Sequence, residues 1–263
     1  MNYLSHLNSF KALRNVNKAL KIHRLMTSSS TSNEPREEMH YDVVTVGGGP
    51  AGLASAIRLK QLALSANKEI SVCVIDKGSA IGSHILSGNV FEPRALAELF
   101  PDWKTMEGVP LETKATSDNF FYLREKGHIA IPHFLIPSQL NNEGNYIISL
   151  STLTRWLGER AEELGVEIYP GFAADEVLYS SEGAVIGVAT KDAGIDKKKH
   201  KKDTYTRGIA LLGKQTLFAE GCRGSCSEEI MDKFDLRKGK DMQTYGLGIK
   251  EVRGISCLVL HRI

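Results

Sequence analysis

Between Tyr41 and Asp76 the chain switches twice between apolar patterns. The run YDVVTV, Tyr41 to Val46, reads as a short strand. From Pro50 to Ser65 the apolar residues recur at helical spacing instead, through Leu53, Ile57, Leu59 and Leu62. ISVCVID, Ile70 to Asp76, returns to a β-branched strand. Strand, turn, helix, strand is the order of a βαβ unit, whose parallel strands need the helix as a crossover. Further on, STLTRWLGERAEELG (Ser151 to Gly165) predicts a helix with a cap-like start and a glycine stop. VEIYPG predicts a strand, and EVLYSSEGAVIGVAT a hairpin turning near Gly183. QTLFAEGCRGS predicts a strand ending in a glycine turn, with a helix from about Ser225. No repeat is visible. The class is α/β.

The junction after the first strand is unusual. It holds Gly47, Gly48 and Gly49 in a row, then Pro50, Ala51 and Gly52. Glycine costs conformational entropy in regular structure, so a cluster needs a geometric reason. Gly47, Gly49 and Gly52 stand in G-x-G-x-x-G spacing between a strand and a helix. In that setting the first makes a tight turn, the second lets a pyrophosphate approach backbone, and the third packs helix on strand. The anion would rest on backbone N–H groups at the helix N-terminus, aided by the dipole. Asp76 ends the next strand, where a carboxylate accepts from the adenosine ribose and repels a 2′-phosphate. A turn that binds nothing is the competing account. The expected fold is Rossmann-like, with inserted antiparallel β elements. Pro50 and Ala51 between the last two glycines resemble the flavoprotein form of this fingerprint more than the dehydrogenase form.

Charge changes the picture at one end. The net charge is +2, but residues 1–33 carry Lys11, Arg14, Lys18, Lys21 and Arg24 with no acid. The remainder holds 28 basic and 31 acidic residues, so a nucleic-acid role has no global support. On a helical wheel four of those cations share a face opposite Leu13, Val16 and Leu20. The stretch TSSSTSN follows. A basic, amphipathic, Ser-rich, acid-free start describes a mitochondrial transit peptide, and residues 1–38 are set apart as leader and linker. A charged N-terminal arm is the plain alternative. No apolar run is long enough to span a membrane.

Several long stretches carry a more specific likeness. SVCVIDKGSAIGSHILSGNVFEPRALAELFPDW, NNEGNYIISLSTLTRWLGERAEELGVEIYPGFAADEVL, TLFAEGCRGSCSE and QTYGLGIKEV resemble electron transfer flavoprotein–ubiquinone oxidoreductases. The likeness runs from about Tyr41 to Val252. It implies FAD and one [4Fe–4S] cluster, with electrons taken from reduced electron transfer flavoprotein and given to ubiquinone. It also implies a monotopic protein on the matrix face of the mitochondrial inner membrane. Residue by residue, Val46, Gly47, Gly48, Gly49, Pro50, Ala51 and Gly52 match the FAD-pyrophosphate turn, and Asp76 with Lys77 the ribose end. Gly82, Ser83, His84, Ser87 and Gly88 match the loop past the flavin, and Ala219, Glu220 and Gly221 a distal FAD-contacting element. No catalytic acid, base or nucleophile is expected, because the flavin carries the chemistry. A related FAD-dependent reductase or monooxygenase, or a fragment without catalysis, are the alternatives.

Two apolar stretches bear on the membrane. Leu96, Leu99, Phe100 and Trp103 form a helical stripe, and IAIPHFLIP (Ile129 to Pro137) is a proline-bounded run. Ordinary core is the plain reading of the stripe; the resemblance favours a surface that dips into one leaflet. KKKHKK, Lys197 to Lys202, is expected to be a solvated loop. His84 and His133 are expected to make local hydrogen bonds.

Cys73, Cys222, Cys226 and Cys257 lack the spacing of a [4Fe–4S] ligand set, so no metal site is expected. After Val252 the likeness stops, and residues 253–263 diverge. The expectation is a partial FAD-binding domain over residues 39–252 in a truncated chain that lacks the cluster ligands.

Overall fold

A computed structural model of the chain describes residues 35–86, 88–196 and 200–246. Residues 1–34 of the expected leader and linker, Ser87, the lysines at 197–199, and residues 247–263 with Cys257 and the divergent tail lie outside them.

The βαβ unit forms as its pattern predicts. Strand β1 (Glu38–Val46) leads through helix α1 (Pro50–Ser65) to β2 (Val72–Asp76). Helix α1 buries Leu53, Ala56, Ile57 and Ala63. Leu62, expected on the same face, is 49% exposed. The helix ends where Asn67 turns left-handed at φ 51°. Short elements follow: β3 (Asn89–Phe91), α2 (Arg94–Leu99), β4 (Thr113–Lys114), β5 (Phe120–Arg124), β6 (Gly127–Ile131) and β7 (Tyr146–Ile148). Helix α3 (Leu150–Glu163) is capped by Ser149, whose Oγ accepts from the Thr152 amide, two residues before the expected start. Gly165 at φ +78° closes it, donating to the Glu162 carbonyl.

The chain then adds β8 (Glu167–Pro170), the hairpin β9 (Ala174–Tyr179) and β10 (Val185–Thr190), a smaller hairpin β11 (Ala193–Ile195) and β12 (Lys201–Thr206), β13 (Ala210–Phe218) and α4 (Ser225–Lys233). Lys201 and Lys202 therefore begin a strand, where a loop was expected.

The main sheet runs β8-β2-β1-β13-β10-β9. Its first four strands are parallel and the last two pairings antiparallel. One core joins Leu53 and Ile57 of α1 to Leu153, Trp156 and Leu157 of α3 over Val72 and Val74. A second gathers Tyr41, Val44, Cys73, Ile75, Val188 and Leu211.

The stripe at Leu96 belongs to the first core. Leu96, Phe100 and Trp103 are buried, with Phe100 edge-on to Trp156 at 5.5 Å and Trp103 edge-on to Tyr146 at 5.7 Å. This corrects the expectation of a surface helix there: α2 is only six residues long, and the aromatics beyond it find protein partners. The other apolar run behaves differently. β5 and β6 pair with each other alone among the described residues. Phe121, Tyr122, Leu123, Ile129 and Leu135 are exposed, and Phe134 is 84% exposed. No helix among the described residues is long and apolar enough to cross a membrane.

Candidate functional site

The crossover from β1 runs through α1 to β2 on one side, while β13 lies on the other. The carboxyl ends of β1 and β13 are therefore a switch point, the place where open α/β sheets bind ligands. The glycine turn lies there. The Ala219 amide donates to the Val46 carbonyl at 2.8 Å, and the Gly47 amide to the Ile75 carbonyl at 2.8 Å. The turn is thus tied to both neighbouring strands.

Each fingerprint glycine has its own constraint. Gly47 sits at φ +110°, and a Cβ on it would collide with the Ala219 carbonyl. A Cβ on Gly52 would strike the Gly47 carbonyl, so the third glycine lets α1 close on the turn. Gly49 is different: a Cβ there would meet nothing within 4 Å. Its φ of −82° is open to any residue, so neither protein packing nor backbone geometry demands glycine. The empty approach is what a pyrophosphate needs.

Gly49 is also the cap of α1, with no side-chain hydrogen bond, and Pro50 opens the first turn. The remaining first-turn amides and the positive end of the dipole face the space beside Gly49. The residues present fit a dinucleotide phosphate.

Asp76 closes this turn. Its Oδ2 accepts the Gly48 amide at 2.8 Å and its Oδ1 the Gly78 amide at 2.7 Å. A carboxylate oxygen has two acceptor positions, so one on each oxygen is left for a ribose hydroxyl. Lys77 beside it is exposed.

The Gly82–Gly88 loop leaves from the same knot. Gly82, at φ +83°, lies against the Ser151 carbonyl of α3, and Ser83 donates to the Ala80 carbonyl at 2.7 Å. His84 is exposed, Gly88 is left-handed at φ +83°, and Ser87 is outside the described residues.

At the end of β13 the Glu220 carboxylate is engaged within the chain. It accepts from the Ser227 amide and hydroxyl, both at 2.7 Å, and from the Cys226 amide at 3.4 Å. It is spent on the N-terminus of α4, where a negative charge meets the helix dipole. Ala219 and Gly221 contribute backbone only, with Gly221 at φ +82° and open space beside it.

Among the described residues no three His, Cys, Asp or Glu side chains converge as a metal site would require. Burial pushes the thiols of Cys73 and Cys226 up to about 12, with Glu167 and Glu220 adding to the respective shifts, so neither thiolate is favoured. The described residues do not fit an iron–sulfur cluster. His133 makes the local bond expected of it, Nε2 lying 2.6 Å from the Asp118 carbonyl. Nothing in the sequence pattern signals a cavity of about 230 Å³ at the foot of the β5–β6 hairpin, lined by Asp118, Phe120, His133, Phe134 and Ser138 among others. Its wall is assembled from short segments without periodicity.

The model of an NAD(P)-binding Rossmann-like domain matches residues 45–103. The electron transfer flavoprotein-ubiquinone oxidoreductase of Pseudomonas aeruginosa is 54% identical over 82% of this chain and 40% of its own length. The mitochondrial enzyme of that name from Arabidopsis thaliana is 52% identical over 89% of this chain and 36% of its own. The one from Mus musculus is 53% identical over 84% and 35%. The likeness read from the sequence therefore holds over most of this chain, which spans 35–40% of the length of these relatives. Among solved structures, a geranylgeranyl bacteriochlorophyll reductase-like protein from Thermoplasma acidophilum has a TM-score of 0.49 at 18% identity. That likeness covers 70% of this chain and 40% of the other.

Proposed function

We propose that this chain carries the FAD-binding part of an electron transfer flavoprotein–ubiquinone oxidoreductase. Its whole-protein activity is to take electrons from reduced electron transfer flavoprotein and deliver them to ubiquinone, on the matrix face of the mitochondrial inner membrane. The observation that carries the reading is the open approach at Gly49. It faces an uncapped helix N-terminus, in a chain more than half identical to enzymes of that name.

Residues 39–252 form the binding unit in this reading, preceded by a mitochondrial leader and linker over 1–38. Gly47 to Gly52 seat the pyrophosphate, and Asp76 the ribose. Val46 and Ala219 hold the turn between two strands, and the loop from Gly82 borders the flavin. FAD, when bound, supplies the electron chemistry. The chain's own residues bind and orient it, and none has to act as acid or base. The described residues offer no cluster ligands.

The exposed hairpin suits a membrane surface. Phe121, Leu123, Phe134 and Leu135 could enter one leaflet, as monotopic proteins do. The amphipathic cavity at its foot suits a polar ring arriving from lipid.

The test is the absorption spectrum of the purified chain with FAD added, followed by anaerobic reduction. A bound flavin reduced by electron transfer flavoprotein and not by NAD(P)H is expected. Reduction by NAD(P)H would move the chain to a different flavoenzyme class, and no bound flavin would end the reading.

A further inference from the structure

The G-x-G-x-x-G pattern leaves its second position open to any residue, yet here that position is Gly48. A Cβ on Gly48 would lie 2.5 Å from Cδ1 of Ile81 and 3.2 Å from Cβ of Asp76. Ile81 thus sits directly on the turn. Its other branch points elsewhere: a Cβ on Gly158 would lie 3.2 Å from Cγ2 of Ile81. Gly158 is in the interior of α3, where glycine weakens a helix relative to alanine. Two glycines on two separate elements therefore make room for one side chain. The next residue is held as well, with Gly82 at φ +83° against the Ser151 carbonyl of α3.

We propose that Ile81 is a positioning residue for the cofactor turn, wedged between Gly48 and Gly158 so that α3 sets where the phosphate-binding amides point. The inference rests on the FAD reading above. A β-branched side chain is stiff at χ1, so its branches keep a constant angle between the surfaces they touch. The turn is then held from three sides. Asp76 takes the Gly48 amide, Ala219 abuts Gly47, and Ile81 covers Gly48. Only the side at Gly49 stays open.

The experiment uses the full 263-residue chain. FAD affinity and dissociation rate are read from flavin fluorescence, and thermal unfolding is followed separately without FAD. Ile81→Ala is expected to weaken FAD binding by about tenfold or more, mainly through faster dissociation. Val177→Ala, a core change on β9 at the far edge of the main sheet, is expected to lower the melting temperature while leaving FAD affinity near wild type. Gly48→Ala should lose FAD, and the double variant Gly48→Ala with Ile81→Ala should regain part of it, because removing Ile81 clears space for the new Cβ.

Equal affinity in Ile81→Ala and wild type would overturn the proposal, as would tight FAD binding by Gly48→Ala or no recovery in the double variant. Loss of FAD by Val177→Ala to the same degree would reduce Ile81 to general stability and overturn it too. A wild-type chain that binds no FAD would bring down the FAD reading itself, and this inference with it.

Discussion

The carboxylate of Asp76 accepts the amide of Gly48 at 2.8 Å, so the residue expected to recognise the ribose also locks the turn that holds the phosphates. Its second oxygen accepts the Gly78 amide, which ties in the following loop. Asp76→Ala should therefore cost more than a ribose contact. Two amides lose their charged acceptor, and hydrogen bonds of that kind contribute about 1–3 kcal/mol each. Titration with FAD should show weakening of at least about tenfold. Asp76→Asn keeps one acceptor oxygen and should fall between. Wild-type affinity in Asp76→Ala would contradict the double role.

The glycines of the turn should separate into two experimental classes. Gly52→Ala drives a Cβ into the Gly47 carbonyl and should destabilise the apo-protein by about 1–3 kcal/mol, as overpacking does. Gly49→Val puts a side chain into open space at an ordinary backbone angle. Its melting temperature without FAD should match wild type while FAD binding is abolished. If Gly49→Val binds FAD fully, the pyrophosphate is not held there.

Much of this site was legible in the sequence because its residues are close along the chain. β1, the glycine turn, α1 and β2 span fewer than 40 positions, and strand and helix periods announce them. The hairpin turning at Gly183 was readable for the same reason. The wedge was not. Gly48, Ile81 and Gly158 are scattered over 110 positions, and nothing local marks an isoleucine that two glycines accommodate. The cap role of Glu220 was hidden for a different reason. The glutamate lies five residues before α4, outside the usual capping spacings, so its use as a cap showed only once the chain had folded. The stripe ending in Trp103 had a spacing that suits core, and only the resemblance favoured a surface; Trp156 and Tyr146, more than 40 residues away, decided its burial. The three-stranded sheet β3-β7-β4 escaped because strands of two or three residues carry no period.

Acid should loosen one corner of the main sheet. Tyr169 donates to Oε2 of Glu167 at 2.5 Å and Tyr41 to the same oxygen at 2.7 Å, and the two phenols lie 2.9 Å apart. The Tyr169 bond first and the Tyr41 bond second hold the Glu167 carboxyl below its usual range. A depressed carboxyl stabilises the fold above its unfolded pKa of about 4.3, and that contribution is lost as pH falls through the folded value. Wild type should therefore exceed Glu167→Gln in stability at pH 7, with the gap closing below about pH 4. Thermal melts across pH 2–8 would show it. A gap independent of pH would mean that the carboxylate charge plays no part.

The hairpin offers the test of membrane contact. β5 and β6 are paired Phe120 with Ile131, Tyr122 with Ile129, Phe121 with Ala130 and Leu123 with His128. Side chains alternate across a strand pair, so Phe121 and Leu123 share one face while Phe120 and Tyr122 share the other. Both faces are exposed: Leu123 on one and Tyr122 on the other are the most open large apolar side chains of the strand, and Phe134, which shares the cavity wall with Phe120, and Leu135 are exposed beside the hairpin. Burying each large apolar side chain in lipid is favourable by about 1.5–3 kcal/mol at full burial. Leu123→Ser, Phe134→Ser and Leu135→Ser together should then weaken binding to phosphatidylcholine–cardiolipin vesicles by about 100-fold or more. FAD affinity should not change, because none of the three touches the glycine turn. Co-sedimentation with vesicles at two salt concentrations separates apolar insertion, which resists salt, from attraction to the headgroups, which does not. Undiminished sedimentation of the triple variant would place the membrane contact elsewhere on the molecule, and no sedimentation of wild type would remove it from this chain.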